Sequence, residues 1–226
     1  MATQVEIINL ALGHLAQAPI TSISEASVQA QTAIRVWDSC RKECLRGHDW
    51  AFGTVVATLS LSATYGTLST SGLYAGDYLY AYTYPTSCLA MWHVYGEDLA
   101  DKTVGEDFRE LYDPINAQKV ILTNVQSALG EYTFDITDPQ FYDANFVTVF
   151  ALRLAVDMAM PLTGDPQLRL TMVKGFTEAM NDAERMSSYE NNPDHVKDGS
   201  SSFIDSRGGS SDTNSYFNPN NPHING

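Results

Sequence analysis

Cys40, Cys44 and His48 recur every four residues, so a continuous helix would carry two thiols and an imidazole on one face, three donors of the kind that hold zinc. Gly47 ends that helix before His48, no fourth donor lies nearby, and both cysteines fall on an apolar seam. Core thiols are therefore expected and no metal is assigned. Carboxylate chemistry is the second candidate. Glu97 and Asp101, with Asp98, Glu106 and Asp107, crowd a short stretch, and glycoside hydrolysis works between two carboxyl groups. One of that pair must hold its proton at neutral pH, which takes burial, and a solvated loop does not provide it. His14 and His93 stand alone. The chain contains no G-x-x-x-x-G-K-S/T, G-x-G-x-x-G, H-E-x-x-H, G-x-S-x-G or EF-hand spacing, so neither catalysis nor a cofactor is expected.

The cysteines belong to the second arm of a helical hairpin. Thr3 and Glu6 form a capping box, in which each side chain serves an orphaned backbone N–H at a helix start. Val5, Ile8, Leu12 and Leu15 then recur at steps of three and four until Pro19. Ser24 is the expected cap of a second helix that runs to Gly47, a residue suited to a left-handed turn. Ala26, Ala30, Ala33, Trp37, Cys40 and Cys44 line its seam with mostly small side chains, which lets another helix come close. Arg35, Arg41, Lys42 and Arg46 are the basic cluster of the sequence. They form either a solvated helix face or a surface for the acids of a neighbouring copy.

From residue 52 to 137 the period becomes two. Val55, Ala57, Leu59 and Leu61 alternate with polar or smaller partners, and residues 62 to 76 read as a loop or hairpin tip. Tyr78, Tyr80, Tyr82 and Tyr84 share one face of the next strand. That face either completes a sheet core or meets another subunit, because tyrosine suits surfaces that are half apolar and half wet. Strands follow at Cys88 to Tyr95, near Lys119 to Thr123 and at Glu131 to Thr137, with the acidic loop after the first of them. Asp138-Pro139 and Asp165-Pro166 each read as a cap followed by a helix start. The first helix carries Tyr142, Phe146, Val149, Phe150, Leu152, Val156 and Met160, with Arg153 and Asp157 four apart on its polar edge. The second turns Met172, Phe176, Ala179, Ala183 and Met186 inward. The expected fold is α+β. N- and C-terminal helices, 1–51 plus 138–190, make a helical bundle around an inserted antiparallel β region, 52–137, and an extended C-terminal tail covers 191–226.

In that tail Asn, Ser, Gly and Pro supply 21 of 36 residues, too polar to bury a core. Phe203-Ile204 and Tyr216-Phe217 interrupt it as isolated apolar pairs, suited either to ordering on a partner or to a plain flexible tail. The 226 residues are 44% hydrophobic, enough for a core, and carry a net charge of −14, which disfavours a general grip on nucleic-acid phosphates. Three cysteines, an odd number, argue against a disulfide framework and for a reducing compartment. The first cation is Arg35, so no signal peptide is expected. The stretch Phe146 to Leu162 contains Arg153 and Asp157 and is short for a bilayer, so no membrane insertion is expected either.

Asn9-Leu10-Ala11-Leu12-Gly13, Ala18-Pro19-Ile20, the Arg35 to Arg46 stretch with Cys-Arg-Lys-Glu-Cys-Leu-Arg, and His48-Asp49-Trp50-Ala51-Phe52 resemble the opening of bacteriophage head-to-tail adaptors of the tail-tubular-protein-A type. Tyr82 to Leu89 is similar to the strand, turn and strand of that family, and Phe141 to Asp165 to its apolar helix and corner. The resemblance implies a structural virion protein, made in the host bacterial cytoplasm, that forms a twelve-fold homo-oligomeric ring between the portal protein and the tail nozzle. It also implies that DNA passes through the channel without sequence-specific binding. Arg35, Arg41, Lys42, Arg46, Tyr78, Tyr80 and Tyr82 are then subunit-interface candidates. Phe203, Ile204, Tyr216 and Phe217 are candidates for partner binding. Glu97, Asp98, Asp101, Glu106 and Asp107 either line the channel or form an outer solvated loop. A stopper or tail-completion protein of the same neck is an alternative, as is a carbohydrate-binding or glycan-hydrolysing module on the tyrosine-rich β region.

Overall fold

The computed structural model describes residues 2–65, 77–96, 105–114 and 116–191, the last four as backbone only. The capping box forms. Thr3 Oγ1 accepts the Glu6 N–H at 3.2 Å, Glu6 Oε2 accepts the Thr3 N–H at 2.7 Å, and helix α1 spans Gln4–His14. Ile8, Leu12 and Leu15 are buried as expected, together with Ile7 and Ala11. The helix stops well before Pro19, because Ala16 turns left-handed at φ 52° and the N–H groups of residues 15 to 17 take up the last carbonyls. The link to the next helix is held by Asn9, whose amide donates to the Ile20 carbonyl at 3.0 Å while its oxygen accepts the Ile20 N–H at 2.8 Å.

Helix α2 spans Val28–Gly47 and is capped by Ser27, not Ser24. Two serines three apart compete for the role. Glu25 settles it by reaching back to the Thr21 N–H and hydroxyl, at 3.0 and 3.2 Å, which holds residues 21 to 25 out of the helix and leaves Ala26 before its start. Ala30, Ala33, Trp37, Cys40 and Cys44 are buried along the expected seam. Gly47 makes no left-handed turn, since it is the last helical residue and His48 continues in extended backbone. Its value is smallness: a Cβ there would come within 2.8 Å of the Met180 methyl group.

Six strands follow, β1 (Thr54–Thr58), β2 (Tyr80–Thr83), β3 (Cys88–Tyr95), β4 (Phe108–Asp113), β5 (Gln118–Thr123) and β6 (Leu129–Phe134). They make two antiparallel three-stranded sheets, ordered β1-β6-β3 and β2-β5-β4. The sheets are stitched at two corners. Past β1 the chain pairs with β2 through Leu61 and Tyr82, Ser62 N–H to Ala81 and Thr83 N–H to Ser60, and ahead of β4 the Glu106 N–H reaches Val94. One apolar cluster draws on both sheets, with Leu59, Tyr82, Met91, Val94, Ile121, Ala128 and Tyr132.

Several expectations for this region need correction. Strand β4 was not anticipated, because Arg109, Glu110 and Asp113 break its apolar alternation. Val55 and Leu61 are exposed, since β1 is an edge strand and only Ala57 and Leu59 of that set turn inward. The four tyrosines do not share a face. Tyr82 is enclosed at 1% exposure with Tyr80 and Tyr84 beside it, whereas Tyr78 packs on a second cluster of Ala81, Val120 and Leu122. Tyr82 thus completes the core and is no subunit-interface residue; its hydroxyl donates to the Val125 carbonyl at 2.9 Å and accepts the Ala128 N–H at 3.2 Å.

Asp138-Pro139 starts only a single 3-10 turn, Pro139–Phe141. Asp143 caps the long helix instead, accepting the Phe146 N–H at 2.6 Å, and α3 runs Ala144–Thr163 to a left-handed Gly164. At 20 residues α3 is long and apolar enough to cross a membrane by length and composition alone, and 56% of its most apolar window is buried inside the protein. It is the central helix, packed on α1 and α2. Met160, in its last turn, is exposed. Asp165 caps α4 (Pro166–Asn191) as expected, accepting the Gln167 N–H at 2.8 Å. Met186 is 56% exposed, because the inward stripe advances through Phe176, Ala179, Ala183 and then Ser187.

Residues Met1–Ser187 form one compact unit. Its helical apolar core is a cluster apart from the two of the β region, and Phe52, Leu89 and Ile136 pack on it from that region.

Candidate functional site

The four basic residues of α2 do not act as one surface. Arg41 is 2% exposed, and its Nη1 donates to the Asp135 carboxylate and, at 2.8 Å, to the Ile136 carbonyl. Its Nε lies 3.5 Å from Asp38, and Lys42 Nζ stands 3.8 Å from the far oxygen of Asp135. Burial works against the charge of this guanidinium, but the Asp135 hydrogen bond and charge outweigh it, so Arg41 sits above the ordinary arginine range. Arg41 is therefore a latch from α2 to the end of β6 and not a subunit-interface residue. The sequence hid this because its partner lies 94 positions away. Arg35, Lys42 and Arg46 remain exposed.

A second tie joins α2 to α3. Arg153 contacts Glu43 of α2 at 2.8 Å and, four residues along its own helix, Asp157 at 2.7 Å. Cys40 Sγ donates to Asp157 at 3.3 Å. Burial first, and the Asp157 carboxylate second, push the Cys40 thiol up to about 12; burial raises Cys44 as well. Nucleophilic chemistry uses the thiolate, and burial disfavours that form in both cysteines. The His48 and Trp50 rings meet in a T-shaped arrangement with centroids 5.1 Å apart. Among the described residues no three His, Cys, Asp or Glu side chains gather as a metal ion would require.

Of the acidic loop, Glu97, Asp98 and Asp101 lie outside the described residues. Glu106 and Asp107 are exposed, and their backbone is pinned to the sheet by the Glu106 N–H to Val94 and by Thr123 Oγ1 donating to the Asp107 carbonyl at 3.0 Å. The tail candidates Phe203, Ile204, Tyr216 and Phe217 also lie outside the described residues.

A groove that the sequence reading passed over opens beside the Arg41 latch. Phe52, Phe134, Asp135, Ile136, Thr137, Asp138 and Phe141 surround a cavity of about 320 Å³. Phe141 is 67% exposed and Phe134 is 38% exposed. The signal was present as two phenylalanines framing Asp-Ile-Thr-Asp-Pro-Gln, but a strand end and a helix start claimed the same residues. A smaller cavity of about 200 Å³ lies between α3 and α4, lined by Asn145, Thr148, Ala179, Asp182, Ala183 and Met186.

Fold and surfaces together define an α+β protein in which buried charges lock its own elements, while exposed cations on α2 and an acidic aromatic groove face outward. No known family model matches this chain, and no curated protein matches it.

Proposed function

We propose that this protein is a structural head-to-tail adaptor of a bacteriophage neck and not an enzyme. Twelve copies would form a ring beneath the portal protein and continue the DNA channel toward the tail nozzle. The observation that carries this reading is the order of elements together with the family-like wording: a helical hairpin, an inserted β region and two closing helices. The resembling stretches occupy junctions, with Asn9 clasping Ile20, Trp50 and Phe52 packed on Phe146, and Gly164 turning the corner into α4. Ring closure needs two different surfaces that repeat around an axis, and exposed Arg35, Lys42 and Arg46 on an otherwise acidic chain supply one of opposite charge. The enclosed ring of Tyr82 leaves a glycan-stacking face without its central tyrosine, which weighs against the carbohydrate module.

Electron microscopy of the purified protein alone, and mixed with the portal of its phage, tests the reading. Separate or weakly associated copies that assemble into a twelve-fold ring on the portal are the expected result, because no disulfide or long apolar heptad commits the chain to an obligate oligomer. A stable two-fold dimer that ignores the portal would overturn it.

A further inference from the structure

We propose that the groove between β6 and α3 is a docking site for an extended peptide segment of another protein, one that carries large apolar side chains next to a lysine or arginine. The proposal does not depend on ring formation. The groove has the composition of a peptide anchor, with Phe52, Phe134 and Phe141 around a cavity of about 320 Å³ that takes one or two side chains. Phe141 makes no ring contact with the Phe52, Tyr142 and Phe146 cluster behind it and stands mostly in solvent. Thr137 is an exposed residue whose backbone N–H and C=O bond to nothing among the described residues, so they remain available to pair with an extended chain.

Charge selects the occupant. Asp135 is already taken by Arg41 and Lys42. The Asp138 carboxylate accepts a single bond, from the Gln140 N–H at 3.0 Å, and meets no cation among the described residues. A cationic side chain beside an apolar anchor therefore matches the rim, while an acidic one is repelled.

The test uses the isotope-labelled full-length chain and three fluorescein-labelled peptides: Gly-Ser-Phe-Leu-Lys-Ser-Gly, the same peptide with Glu for Lys, and the same with Ala-Ala for Phe-Leu. The lysine peptide is expected to shift the amide signal of Thr137 and to bind with a dissociation constant on the order of 100 µM, as suits a shallow site. Phe141→Ser should weaken it by at least about tenfold, since the anchor is lost. Asp138→Asn keeps the turn and should erase a preference of lysine over glutamate of roughly threefold to tenfold. Phe141 and Asp138 are both exposed, so neither variant threatens folding. Absence of binding at about 1 mM, where sites this shallow still register, would overturn the proposal. So would binding that survives Phe141→Ser, or equal affinity for the lysine and glutamate peptides. Groove signals that move with protein concentration alone would overturn it in favour of a second copy.

Discussion

Removing the Arg41 guanidinium takes a charged donor from the partly solvated Asp135 carboxylate and one of two donors from the Ile136 carbonyl, which still accepts the Tyr142 hydroxyl at 3.0 Å. Arg41→Met keeps the length of the side chain and should destabilise the protein by about 2–4 kcal/mol, below the full cost of breaking a buried pair because Asp135 is partly solvated. Lys42→Ala, one residue away, should cost no more than about 0.5 kcal/mol, since that ammonium is half exposed. Urea unfolding of both variants checks the contrast; equal losses would show that the latch is shared evenly along the helix. Asn9 acts on the same scale without charge. Its amide serves both polar groups of Ile20, so Asn9→Ala strands a donor and an acceptor in a partly buried link and should cost about 1–3 kcal/mol by urea unfolding. Asn9→Asp retains the acceptor for the Ile20 N–H only and should fall between.

At the level of elements, α2 and α3 are joined by a cluster whose protonation sets an alkaline limit. Folding pushes the Cys40 thiol up to about 12 from an ordinary value near 9, by burial and then by Asp157, and the Tyr142 hydroxyl up to about 12 from about 10, chiefly by burial. Above pH 9 the unfolded chain therefore releases protons that the folded chain still holds. The unfolded state binds fewer protons and stability falls as pH rises from 9 toward 12. Melting temperatures across that range should decline, and Cys40→Ala should flatten the lower part of the decline. An unchanged slope would place the alkaline weakness elsewhere.

The same elements show what could be read in advance. Local signals were legible: the Thr3 and Glu6 box, the Asp165 cap and the pairing of Arg153 with Asp157 each lie within about one turn, and the seam of α2 from Ala30 to Cys44 repeats steps of three and four. Where two local signals compete, the outcome hangs on a third residue, as when Glu25 turned the cap from Ser24 to Ser27. Strand β4 was hidden by its charges, and the shared tyrosine face dissolved because Tyr78 precedes the regular part of β2. The latch and the groove depend on residues 82 or more positions apart in the chain, Arg41 with Asp135 and Phe52 with Phe134, and no periodicity encodes such a meeting.

For the whole molecule the governing quantity is the net charge of −14, which the proposed ring would repeat in every copy. At physiological salt the field of an acid fades within about 8 Å, so only carboxylates at the wall of a channel act on DNA inside it. Glu106 and Asp107 face solvent while their backbone is fastened to β3 and β5, which gives the acidic loop a fixed root from which to present charge. Proposed as a lining, this loop keeps the genome from adhering, because phosphates bind by releasing counterions to cations and meet here five acids against the single Lys102. Replacing Glu97, Asp98, Asp101, Glu106 and Asp107 by Lys should then slow DNA ejection in a way that added salt relieves, whereas Asn and Gln replacements should have a smaller effect. Ejection from particles carrying each ring, followed over a range of salt, decides the matter. If the lysine ring releases DNA at the wild-type rate throughout, the loop lies outside the channel and its acids serve solubility alone.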